Sequence, residues 1–128
     1  MKTTTGNNEL NVLNLFNPHA EIMDKHDSSF AEKSIEFFER AIEEANKGMI
    51  YSAIDTARDA LVMTKYSRQY VAPYVHGFLA QMLLETSHKG AAAFHAEMAI
   101  AKLNPENQDF WEDKKYYTTL LSAIKQAA

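Results

Sequence analysis

Five histidines, His19, His26, His76, His88 and His95, are the side chains of this chain best suited to ligating a metal or carrying a proton near neutral pH. A helical metal pair needs two imidazoles at i, i+4, as in His-Glu-x-x-His, and no two of the five have that spacing. In His95-Ala96-Glu97 the two candidate ligands sit about 200° apart around a helix and face away from each other. The histidines therefore read as separate surface or half-buried side chains, and no metal site is expected. Asp24-Lys25-His26-Asp27 has the charge for a weak cation site but reads as a solvated loop leading into a helix. Adjacent carboxylates such as Glu43-Glu44 diverge from a helix into solvent instead of converging on a substrate. There is no Gly-x-Ser-x-Gly elbow, no phosphate-cradling glycine loop and no dinucleotide fingerprint. No catalytic residue and no cofactor are assigned, and an enzyme is not expected; a small site assembled from scattered residues is the remote alternative. Two aromatic and basic groupings, Tyr66, Tyr70 and Tyr74 with Arg68, and Lys114-Lys115-Tyr116-Tyr117, have the composition to stack bases or grip an acidic peptide. The competing reading buries those rings between helices with their hydroxyls at the surface.

These side chains must be positioned by a single domain-sized chain of 128 residues, 46% apolar and 23% charged, which is globular composition. Thirteen basic against seventeen acidic residues leave a formal charge of −4, without the basic surplus that phosphate neutralisation requires, so nucleic acid is not an expected partner. The absence of cysteine removes disulfides, thiolate metal sites and cysteine nucleophiles, and suits a reducing cytoplasm, the expected location. No apolar run approaches the ~20 residues of a membrane span, and Met1 to Asn8 lacks a signal-peptide core, so no membrane insertion is expected.

Four glycines and three prolines fall between long segments with helical apolar spacing, which predicts an all-α fold. Residues 1–28 read as a flexible or partly helical segment with one short apolar stripe, Leu10, Leu13 and Phe16. Residues 29–128 read as the helical domain. Its first helix opens on the capping-box pattern Ser29-Phe30-Ala31-Glu32 and closes at Asn46-Lys47-Gly48. The second spans about 50–64. The third, carrying Val75, Leu79, Met82 and Leu83, accepts Pro73 only in its first turn and stops near Thr86-Ser87-His88. The fourth runs over about 91–102 and the fifth over about 108–125.

Ala53, Ala57 and Ala60 on the second helix recur as Ala92, Ala96 and Ala99 on the fourth, 39 residues on, and small residues at i, i+4, i+7 let helices approach closely. A period of this size signals stacked helical hairpins. The sequence here resembles the tetratricopeptide repeat family, most strongly over residues 76–111. Leu79 and Ala80 match the family's Leu and small positions, Ala92 and Ala99 its paired alanines, and Pro105 its terminal proline, one residue late. Asn104-Pro105-Glu106-Asn107-Gln108-Asp109-Phe110-Trp111 looks like the junction into a further repeat, with Trp111 at the tryptophan position. His76, Ala96, Lys114 and Lys115 depart from the pattern, and Lys65 stands where a proline is expected.

The resemblance implies two stacked helix-turn-helix hairpins plus a C-terminal capping helix, a right-handed α-solenoid fragment whose concave groove binds a segment of another protein. Matched residue by residue, the groove positions are Tyr74, Gly77, Gln81 and Leu84 on the third helix and Glu112 and Tyr116 on the fifth. The family's carboxylate clamp is absent, because Gly77 and Gln81 stand where Lys and Asn would be needed. A largely apolar, aromatic groove suits a hydrophobic or amphipathic peptide, as expected of an adaptor or small chaperone. Two hairpins and a cap bury little surface, so either the N-terminal segment fills the groove or a second copy packs against Phe37, Phe38 or Trp111; a homodimer is expected.

Overall fold

The computed structural model describes the backbone of residues 28–66 and 71–127 and, within them, every side chain but those at 28, 29, 31 and 66. The described residues are all-helical: α1 (Ser28–Asn46), α2 (Ile50–Met63) running into a 3-10 turn (Thr64–Tyr66), α3 (Ala72–Glu85), α4 (Lys89–Lys102) and α5 (Phe110–Gln126). The helix limits agree with those expected from spacing to within two residues. The apolar stripe Leu10, Leu13 and Phe16 lies outside the described residues, as does the Ser29 side chain of the expected capping box.

Each helix packs on its neighbours in the chain, α1 with α2 and α3 with α4 most extensively, and α3 also meets α5. The alanine seams account for the two close pairs. Ala53, Ala57, Ala60, Ala92, Ala96 and Ala99 are all fully buried, so no long side chain holds the paired backbones apart. Across the first seam the buried Ser34 hydroxyl donates to the Ala60 carbonyl (3.2 Å), and the Thr56 hydroxyl donates to Glu44 Oε1 (2.7 Å). Phe38, Val75, Phe78, Leu79, Met82, Tyr117 and Ile124 fill the core. Burial of such side chains stabilises a fold by about 1.5–3 kcal/mol each. α3 is the central element, buried at every position from Ala72 to Ala80, with Pro73 in its first turn.

The 39-residue repeat extends to the backbone of the turns. At the end of α1, Met49 N–H donates to Glu44 O (2.8 Å) and Gly48 N–H to Ala45 O (3.0 Å). At the end of α3, His88 N–H donates to Leu83 O (2.8 Å) and Ser87 N–H to Leu84 O (3.0 Å). Both are Schellman closures, which need a left-handed residue at their centre. Gly48 at φ 84° and Ser87 at φ 65° supply it, and Ser87 is the one non-glycine residue with positive φ among those described.

The connection from α4 to α5 is built by asparagines. Asn104 Oδ1 accepts from Glu106 N–H (3.0 Å) and Asn107 Oδ1 from Asp109 N–H (2.8 Å), local bonds that replace the helical ladder around Pro105. Glu112 and Asp113 then lie in the first turn of α5, where the helix dipole favours negative charge. None of the described helices is long and apolar enough to cross a membrane.

Candidate functional site

Tyr74, Gly77, Gln81 and Leu84 recur at intervals of three and four along α3 and so share one face of it. Against this face lies α5. The Tyr74 hydroxyl donates to Asp113 Oδ2 at 2.7 Å, both residues being buried. One turn on, Gly77 leaves room for the fully buried ring of Tyr117: a Cβ at position 77 would lie 2.7 Å from its Cζ, 2.9 Å from its Oη and closer still to Cε1. One further turn along, Gln81 Nε2 donates to the Tyr116 hydroxyl. The Tyr117 ring lies 5.2 Å from that of Tyr116 and 6.5 Å from that of Tyr74. Burial, with Tyr74, Asp113 and Tyr116 nearby, raises the Tyr117 phenol well above its ordinary pKa, so it stays protonated at neutral pH.

Four of the six groove residues expected from the sequence, Tyr74, Gly77, Gln81 and Tyr116, are thus gathered where α3 and α5 meet, but they are not equally open. Tyr74 and Gly77 are buried, so the exposure expected of them is absent. With no side chain at position 77 to hold it off, the Tyr117 ring of α5 seats against α3 and covers the first half of the face. Gln81, Leu84 and Tyr116 are half-buried and Glu112 is exposed, which leaves the second half accessible. The Oε1 atom of Gln81 is buried with no hydrogen-bond partner among the described residues. At the other end Tyr74 and Asp113 border a cleft of about 510 Å³ together with Pro73, Lys102, Phe110 and the Asn104–Gln108 turn.

The aromatic and basic groupings fall only partly within the described residues. Tyr74 and Tyr117 are buried, in keeping with rings packed between helices. Lys114 Nζ lies 5.6 Å from the centroid of Phe110 and 5.4 Å from that of Trp111. Arg68, Tyr70 and the Tyr66 side chain lie outside the described residues.

Spacing within helices missed one juxtaposition. His76 on α3 and His95 on α4 meet across the second hairpin, Nδ1 to Nδ1 at 2.9 Å with ring centroids 5.1 Å apart. Positions at comparable distances from a hairpin turn face each other in antiparallel helices, and that relation, not i, i+4, was the available signal. Burial, then His95 and Lys102, lowers the His76 pKa to about 4; burial, then Arg58, lowers that of His95. Both rings are neutral at pH 7, so one Nδ1 donates and the other accepts. Among the described residues no group of three or more His, Cys, Asp or Glu side chains could hold a metal.

Comparison with protein-family models, with curated proteins and with solved structures returns no match to this chain.

Proposed function

We propose that the helices form two stacked tetratricopeptide-like hairpins with α5 as the cap, and that the chain is a protein-binding module, an adaptor or small chaperone, for a hydrophobic or amphipathic peptide. In this reading the peptide lies along the open half of the α3–α5 face. Leu84 and Tyr116 supply apolar contact, Glu112 stands at the rim, and Tyr74 and Gly77 form the buried floor that fixes α5. The observation that carries the reading is Gln81 Oε1, buried with no hydrogen-bond partner among the described residues. A buried acceptor without a donor costs about 1–3 kcal/mol, and a backbone N–H of a peptide that draws the Gln81 side chain toward the open half of the face would remove that cost.

Selection of a random heptapeptide phage library on the full chain tests it. Peptides sharing apolar positions should be enriched on the wild type, and Gln81→Ala and Leu84→Arg should each weaken their binding about tenfold or more with helicity unchanged. Absence of any enriched pattern, or equal binding by both variants, would overturn the reading.

Self-association has its own observation. Of the apolar residues considered for it, Phe38 is fully buried and drops out, whereas Trp111 is 72% exposed. A homodimer through Trp111 predicts a dimer mass by light scattering that falls to the monomer in Trp111→Ser. A monomeric wild type would dispose of it.

A further inference from the structure

A second cleft, of about 250 Å³, opens where the 3-10 turn, the start of α3 and the end of α4 come together, and is lined by Leu61, Thr64, Lys65, Ala72, His76 and Lys102. The described residues that line it include two lysines, a histidine and a threonine, and no acidic residue. That is unexpected in a chain whose acidic residues outnumber its basic ones. His76 is almost fully buried and passes its Nδ1 contact to His95, which in turn feels the charge of Arg58 on α2. Among the described residues, the charged groups facing the imidazole pair are therefore Arg58 from α2, Lys65 from the 3-10 turn and Lys102 from α4. All three are cationic.

We propose that this cleft binds a small tetrahedral oxyanion of the phosphate class, held by the ammonium groups of Lys65 and Lys102 and by the His76 imidazole. Two flexible cations flanking a fixed ring donor are a suitable arrangement for an anion that offers several acceptor oxygens in different directions. The space admits inorganic phosphate with water, or a phosphate monoester with the first atoms of its ester group. The same positive field opposes a metal cation on the two imidazoles, which distinguishes this site from a histidine metal pair. Thr64 donates its hydroxyl proton to Leu61 O (2.6 Å), so its role here is to close the wall and not to donate to the anion. An anion beside His76 favours the charged form of the imidazole pair, so binding is coupled to proton uptake.

NMR of the histidine side chains in the full chain tests this, with sulfate and inorganic phosphate as probes. Sulfate remains a dianion across the working range, so any pH dependence in its binding belongs to the protein. His76 and His95 signals should shift saturably with sulfate while His88 does not. Affinity should rise several-fold from about pH 7.5 to about pH 5.5. It should fall about tenfold in Lys102→Glu and in Lys65→Glu, both exposed positions, and be unchanged in Lys89→Glu, which lies at the other end of α4. A phosphoserine peptide binding more tightly than phosphate would identify a phosphorylated polypeptide as the source, and equal affinity a free anion. Shifts that fail to saturate at roughly 50 mM, or that persist equally in the two lysine variants, would overturn the proposal.

Discussion

The 39-residue repeat brings two interfaces into correspondence: α1 against α3, and α3 against α5. Phe38 and Gly77 occupy the same place in their helices, as the matched turns at Gly48 and Ser87 establish. Their partners, Phe78 and Tyr117, are likewise 39 residues apart. In the first interface two phenyl rings meet edge to face at 5.7 Å in a fully buried contact. In the second, one ring is deleted to glycine and the other carries a hydroxyl. Around that exchange the polar groups collect: Tyr74 with Asp113, Gln81 with Tyr116, and a Gln81 oxygen that has no partner among the described residues. The same scaffold is filled once by apolar rings alone and once by rings with polar groups among them. A fully apolar interface has nothing to offer a ligand's hydrogen-bonding groups, and buried polar groups left without partners are what sequences optimised for packing avoid.

The largest expected effects come from removing the two partner rings. Phe78→Ala and Tyr117→Ala should each cost about 3–5 kcal/mol in urea unfolding. They should differ in what is released. Phe78 is central, and its loss should lower the stability of all described helices together. Tyr117 seats the terminal helix, so its loss should first accelerate hydrogen exchange in α5 alone; uniform exchange in both variants would show that the two interfaces are not separable. Next in size is Gly77→Ala. Alanine improves helix propensity by about 1 kcal/mol, but the added carbon collides with the Tyr117 ring at a cost of about 1–3 kcal/mol, so a net loss of up to about 2 kcal/mol is expected. Combining it with Tyr117→Leu should recover most of that loss, and strict additivity in the double-mutant cycle would contradict the ring-in-hole account.

The helices and the repeat were legible because they rest on local signals: alanine at i, i+4, i+7, Gly48 closing a helix, Pro73 confined to a first turn, and Asn104-Pro105 breaking one. The six groove positions came from a resemblance in pattern, and the four of them on α3 share one face of it by their spacing. What the sequence could not supply was how far α5 closes on that face. That depends on a missing Cβ at Gly77 meeting a ring forty residues away, and neither residue advertises the other. The His76–His95 contact was invisible for a related reason: it pairs residues across a hairpin turn, whereas i, i+4 spacing relates only residues of one helix.

The histidine pair supplies a further contrast, because the corresponding positions of the first hairpin are Phe37 and Thr56, neither of which titrates near neutral pH. The His76 pKa falls from 6.5 to about 4 on folding, chiefly by burial. Between those values the unfolded chain holds more protons than the native one, so stability is fully present above about pH 6.5, declines as pH falls toward about 4, and levels off below. With partial solvent access allowed for, the loss from His76 should be on the order of 2 kcal/mol. His95, also lowered, adds to it in the same direction. His76→Gln should flatten the pH dependence of urea midpoints over this interval. A slope unchanged by the substitution would locate the titrating groups elsewhere.

The smallest expected effect is the most direct check on the correspondence itself. Gly48 and Ser87 hold the same left-handed conformation in the same hydrogen-bonded turn, but only glycine does so without steric cost from a Cβ. Ser87→Gly should relieve that cost, offset in part by the greater freedom of glycine in the unfolded chain, for a net gain of about 0.5–1 kcal/mol. Gly48→Ser should lose a similar amount, because no atom of the described residues lies within 4 Å of a Cβ built at position 48 and the penalty it meets there is backbone strain. The double exchange, which moves the glycine from one hairpin to the other, should then leave overall stability nearly unchanged. Opposite and nearly equal shifts in urea midpoint would establish the two turns as one structural element used twice, whereas shifts of the same sign would mean that the hairpins close by different means.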